Sequence, residues 1–148
     1  MKKIINNLVL EHHSRNPYTI AKQLGIIVLE EELGSINGYY NEVMGYKFIH
    51  VNSELPDYHK RFVVAHELGH ALLHPNFNYC FLKNHTLLNI DRYEKEANIF
   101  AIELICDENV KDCETISDIC KVYGIDEKLL YKIGVDNNGF SQCSQAWW

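Results

Sequence analysis

No stretch of this 148-residue chain approaches the roughly 20 consecutive apolar residues that a membrane-spanning helix needs. Basic residues are the minority charge, 14 Lys and Arg against 20 Asp and Glu, for a net charge of −6. That balance argues against an extended nucleic-acid face as the main business of the chain. Proline is scarce, and Pro17, Pro56 and Pro75 each fall where an element is expected to begin or end. The cysteines (Cys80, Cys106, Cys113, Cys120 and Cys143) are odd in number and contain no C-x-x-C pair. Neither a disulfide framework nor a thiolate metal site is indicated, and free thiols in a reducing cytoplasm are expected. The start, Met1-Lys-Lys-Ile-Ile-Asn-Asn, is basic, but its apolar stretch is too broken for a signal peptide. There are no internal repeats and no low-complexity tract. The length predicts one domain over residues 1–134, followed by a loosely ordered Asn/Gly/Ser/Gln-rich tail, 135–148, that ends Ala146-Trp147-Trp148.

What the chain does contain is Arg61-Phe-Val-Val-Ala-His-Glu-Leu-Gly-His-Ala-Leu-Leu-His74, and within it His66-Glu67-Leu68-Gly69-His70. In a helix, residues four apart lie on one face, so two imidazoles at that spacing can hold one zinc ion. Glu67, about 100° round from His66, can lean over the metal and take a proton from its water. Uncharged flanks (Val63, Val64, Ala65, Leu68, Ala71, Leu72) and the lack of a proline let a buried helix run through. Gly69 costs roughly 1 kcal/mol of helix propensity against Ala, which implies that another backbone packs close to it. His74 lies one turn beyond His70. Three histidines at four-residue steps spread over about 12 Å, too far for one ion, so His74 is assigned a structural or supporting role. His12, His13, His50, His59 and His85 have no spacing that suits a ligand.

Around this motif the pattern predicts a helix over 2–14, a short helix Thr19–Leu24 closed by Gly25, and a buried strand Ile26–Leu29. Glu30, Glu31 and Glu32 read as a solvated acidic turn. Ile36–Asn41 and Tyr46–Val51, with Met44-Gly45 between, read as a hairpin. After the motif helix, Phe77–Ile90 reads as an irregular rim loop, and Asp91 as the cap of a helix over 92–106. Asp112 or Thr115 opens a further helix that ends at Gly124, and Asp126 caps a last one to Ile133.

A zinc site needs a third protein ligand and an open position for water. On a wheel of the 92–106 helix, Glu94 shares its face with Asn98, Ala101 and Ile105, within about 40°. Glu96, Glu103 and Asp107 cluster on the opposite side as an acidic solvent face. A carboxylate alone on a small apolar face is costly unless it is paired or bound to metal, which singles out Glu94 over Glu96. Asn98, one turn after Glu94, either orients a ligand by hydrogen bonding or fills a polar gap.

With these residues in view, the chain resembles the ImmA/IrrE family of metallopeptidases over most of residues 1–133. The resemblance rests on Asn16-Pro-Tyr-Thr-Ile-Ala-Lys-Gln-Leu-Gly25, Gly38-Tyr39-Tyr40, the 61–74 segment, and Glu94-Lys-Glu-Ala-Asn-Ile-Phe-Ala-Ile-Glu-Leu104. It implies an α+β fold: a small antiparallel sheet packed against the H-E-x-x-H helix, with further helices on either side in sequence. It also implies a gluzincin-like site, with His66, His70 and Glu94 on one catalytic zinc and Glu67 as general base. Finally it implies a protein substrate, since several members cleave a helix-turn-helix repressor and so induce genes of a phage or mobile element. The family often continues Glu-Leu-Leu-Met-Pro where this chain has Glu103-Leu-Ile-Cys-Asp107.

The expected chemistry is zinc-assisted peptide hydrolysis, with Tyr39, Tyr79, His85 and Tyr93 all open as stabilisers of the oxyanion. Gly38-Tyr39-Tyr40, near a sheet edge, can accept an extended substrate as an added strand. Two other readings compete. One is a non-catalytic anti-repressor that captures its partner on the same scaffold, which the intact Glu67 argues against. The other is DNA binding through Thr115–Ile133, which the mixed charges of that region disfavour.

Overall fold

The computed structural model describes residues 1–75, 87–106 and 115–132. The expected rim loop up to residue 86, Asp112, Tyr79, His85, Cys80, Cys113, Cys143 and the tail lie outside the described residues. Helix α1 (Lys2–His12) leads into α2 (Pro17–Gln23), whose first turn is set by Pro17 and by Asn16 Oδ1 accepting from the Tyr18 N–H. Three strands follow, β1 (Ile26–Glu31), β2 (Gly38–Val43) and β3 (Tyr46–Asn52). Then come the long helices α3 (Asp57–Leu73) and α4 (Leu87–Ile105), and the short pair α5 (Ile116–Tyr123) and α6 (Glu127–Lys132).

The α+β class is as expected, and β2 and β3 form the antiparallel hairpin, turning through Met44 (φ 51°) and Gly45 (φ 82°). A two-residue turn with both φ positive matches the right-handed twist of the strands. The sheet as a whole is mixed: its order is β1-β3-β2, with β1 parallel to β3. The turn after β1 sends β2 back one strand-width away, and β3 fills the gap running in the β1 direction. Asn52 organises that turn, donating from Nδ2 to the carbonyls of Gly34 (3.0 Å) and Ile36 (3.1 Å).

β1 is longer than expected and only half-buried. Ile26 is 4% exposed but Ile27 is 43% exposed, because the sheet buries one face, through Tyr40, Ile49 and Val51, against the helices. Glu30 and Glu31 belong to this strand rather than to a turn. Both are exposed, and they are paired: Glu30 accepts from Lys60 Nζ (2.9 Å) and the Tyr18 hydroxyl (3.3 Å), and Glu31 bonds the His50 ring. Burial and the Glu30 carboxylate push the Tyr18 phenol up to about 12.

α4 begins at Leu87, so Asp91 sits inside it and is not its cap. Leucine is a strong helix former, and the Leu87-Leu88 pair carries the helix back past the polar residue expected to start it. The other end of α4 is held by Arg15, whose Nη1 donates to the carbonyls of Glu103 (3.0 Å), Leu104 (3.3 Å) and Cys106 (2.9 Å). Those are carbonyls that a helix terminus leaves without intrahelical partners. Glu103 is correspondingly not on an open acidic face. α1 packs along α4, and burial raises the Glu103 carboxyl, opposed by the N-terminal ammonium and Lys2.

Candidate metal centre

α3 presents His66, Glu67 and His70 on the side that faces α4 and β2. The close approach that Gly69 implied is present: a Cβ there would lie 3.1 Å from a Phe100 ring carbon and 3.3 Å from the Ala97 Cα. The two helices therefore touch backbone to backbone at the level of the motif. Gly38 does the same for the sheet, since a Cβ on it would come 2.7 Å from the His50 carbonyl oxygen and would overlap Val63. Both glycines sit where two elements must meet closely for the motif helix to have a second wall.

This approach brings Glu94 of α4 to the two histidines. His66 Nε2 and His70 Nε2 are 3.1 Å apart, and Glu94 places Oε2 3.3 Å from the first and Oε1 3.4 Å from the second. For zinc bound tetrahedrally at about 2.0–2.1 Å per ligand, neighbouring donor atoms stand about 3.3 Å apart. The two Glu94 contacts use different carboxylate oxygens; with one ligand atom per residue the three donors lie within 4.8 Å of one another, close enough to converge on one ion. Two imidazole nitrogens and a carboxylate are also the donor types that suit zinc. No other trio of His, Cys, Asp or Glu meets the same convergence among the described residues.

The electrostatics follow from the crowding. Burial by itself would raise the Glu94 carboxyl, but hydrogen bonds and charge from His66 and His70 outweigh it and hold the group well below the ordinary carboxylate range. Burial would lower the His66 imidazole. Glu94, Glu67 and Asn98 overcome that and raise it. Asn98 is 5% exposed, and its Oδ1 accepts from His66 Nδ1 at 2.8 Å. That bond puts the ring proton on Nδ1 and turns the Nε2 lone pair toward Glu94 and His70. Of the two readings open for Asn98, the orienting one is the geometry found. Glu67 is 8% exposed, and burial raises its carboxyl against the lowering effect of both histidines and, to a smaller extent, of the nearby Tyr40 backbone.

The remaining expected residues divide. His74 stands apart from the trio: its Nε2 is 3.3 Å from Glu96 Oε2 and its ring packs on Tyr93 at 4.6 Å between centroids. Glu96 is therefore not a merely solvated acid. It also accepts from Arg92 Nε at 2.8 Å, because the last turn of α3 reaches the face that the wheel left to solvent. A cavity of about 430 Å³ opens over the trio, walled by Gly38, Tyr39 and Tyr40 of β2. Tyr39 lines it, its ring stacked on His50 at 4.4 Å and 11°, whereas Tyr93 is turned to His74. Sequence reasoning missed His59, Asp126 and Lys128, which also line the cavity. The last two arrive from the α5–α6 turn and from α6, more than fifty residues after the motif, and no spacing signal links them to it.

Residues 21–110, which include His66, Glu67, His70 and Glu94, match the IrrE N-terminal-like domain. The chain belongs to that metallopeptidase family. It is 37% identical over 137 residues to the uncharacterised immunity region protein 2 of Bacillus phage phi105, covering 88% of this chain and 87% of that one. It is 34% identical over 107 residues to the metallopeptidase ImmA of Bacillus subtilis strain 168, covering 71% of this chain and 62% of ImmA, less than two thirds of that relative's length. Among the described residues no helix is long and apolar enough to cross a membrane.

Proposed function

We propose that this member of the IrrE N-terminal-like family is a zinc-dependent endopeptidase that cleaves a helix-turn-helix repressor and so derepresses genes of a phage or mobile element. His66, His70 and Glu94 are the metal ligands in this reading, and Glu67 is the general base. The observation that carries it is the convergence of three zinc-type donors, within 4.8 Å of one another, beside a buried carboxylate. The likeness to a phage immunity-region protein supports the repressor as substrate. Zinc bound there supplies a water acidified to a pKa of about 7 and a polarised scissile carbonyl. Glu67, its affinity for a proton raised by burial, takes the water's proton on its carboxylate and delivers it to the leaving amine. β2 is an edge strand beside the trio, which suits an extended peptide adding along Gly38–Tyr40.

Native mass spectrometry after zinc loading tests the site. Wild type and Glu96→Ala should carry one zinc, and Glu94→Ala should lose it. Incubation with a repressor encoded beside the gene then tests the reaction: wild type should cut it, and Glu67→Gln should keep zinc while cutting about 10²–10⁴-fold more slowly. Zinc binding with capture of an intact repressor would instead favour the non-catalytic anti-repressor.

A further inference from the structure

The cleft does not end at the metal ligands. His59, Phe62 and Asp126 line both the cavity over the trio and a second cavity of about 350 Å³ between α3, α5 and the α5–α6 turn. One stripe of α3 forms the floor of both: His59, Phe62 and His66 fall at three- and four-residue steps, on one helical face. From His66 back to Tyr58 is eight residues, about 12 Å at 1.5 Å each. An extended peptide covers that distance in three to four residues at about 3.3 Å each.

The far end of this groove is partly open, with Tyr58, Phe62, Cys120 and Ile125 as its apolar lining. Gly124, with φ +66°, sits against Tyr58, where a Cβ would come 2.5 Å from the tyrosine Cβ, so the turn between α5 and α6 abuts the helix. Phe62 and Ile125 are buried there, while Tyr58 is left 56% exposed. The Cys120 thiol, half-buried, adds a small wall with room beside it. Charged groups lie along the groove, with Lys121 and Asp126 at the second cavity and Lys128 over the first. Their opposite signs leave no net preference for a charged guest.

We infer that this distal cavity is a specificity subsite, filled by a bulky apolar side chain of the peptide substrate three to four residues from the bond cut at the metal. The inference rests on the peptidase reading above. Its recognition chemistry is apolar burial against Phe62, Tyr58 and Ile125, and its position follows from continuity with the metal cleft.

Peptide hydroxamates test it on the zinc-loaded full chain. The hydroxamate anchors on the metal, and two series extend from it, one toward the peptide N-terminus and one toward the C-terminus, each carrying Phe, Leu or Gly at the third and fourth positions. In one series Phe or Leu should bind at least tenfold more tightly than Gly. Cys120→Phe, which fills the cavity, should collapse that ratio toward one. Tyr58→Ala, a truncation of a half-exposed side chain, should reduce the Phe-to-Gly ratio severalfold and covers the case in which the filled variant fails to fold. Hydroxamates that bind with no preference at those positions in either series, or a ratio unchanged in both variants, would overturn the subsite and leave the peptidase reading standing. A chain that binds no hydroxamate at all would overturn both.

Discussion

Gly69 of α3 packs close against Ala97 of α4: a Cβ on Gly69 would lie 3.3 Å from the Ala97 Cα, tighter than an ordinary van der Waals contact. That contact sets how far Glu94 lies from His66 and His70. Gly69→Ala gains roughly 1 kcal/mol of helix propensity but requires the Phe100 ring and the Ala97 backbone to give by a few tenths of an ångström, which shifts α4 relative to α3. Zinc affinity should fall about tenfold, a larger effect than any change in melting temperature. Competition with a coloured chelator measures the first and a thermal scan the second.

Asn98 orients His66 without sharing the ligand triangle. Asn98→Ala should leave the fold intact and weaken zinc binding about 10–100-fold, the range for loss of a hydrogen bond to a ligating histidine. Asn98→Asp, which keeps an acceptor for Nδ1–H, should recover most of the affinity. Chelator competition on the two variants side by side separates orientation from loss of packing, since alanine and aspartate differ in the acceptor they present.

Arg15 joins the α1–α2 connection to the end of α4 through three carbonyls. Arg15→Met keeps much of the stem and removes the donors. A hydrogen bond from a charged group contributes about 1.5–3 kcal/mol, and these three share one nitrogen, so a loss of about 2 kcal/mol is expected. For a chain of this size that lowers the melting temperature by roughly 6 °C. One zinc should still bind at room temperature, as native mass spectrometry would show.

Glu103 carries a pH signature. Its folded pKa is raised by burial above the unfolded value. The associated stability is therefore fully present below the unfolded pKa, about 4.3, and is lost as pH rises through the raised folded value. Glu103→Gln should melt higher than wild type at about pH 7 and equally near pH 4. A difference that grew on acidification would contradict the burial argument.

The reach of the sequence depended on how local each feature is. The grouping of His66 and His70 was legible because helical periodicity alone puts residues four apart on one face. Glu94 was legible because a lone carboxylate on an apolar stripe has few affordable explanations. Gly69 announced a neighbour through its propensity cost, and the Met44-Gly45 turn announced a hairpin.

What the sequence by itself determined was therefore the helix that carries the metal motif, the side of α4 that faces it, and the strand–turn–strand unit beside it. Each follows from the period of the backbone or from turn chemistry within a few residues. Tertiary structure alone decided the parallel placement of β1 beside β3, the cover of α1 over Glu103, the tie from Arg15 to the end of α4, and the pairing of Glu96 with His74. It alone placed Tyr40 and Glu67 on one cavity and the α5–α6 turn against Tyr58. These depend on which distant surfaces exclude water together, and burial against a distant partner leaves no periodic mark in the residues that make it.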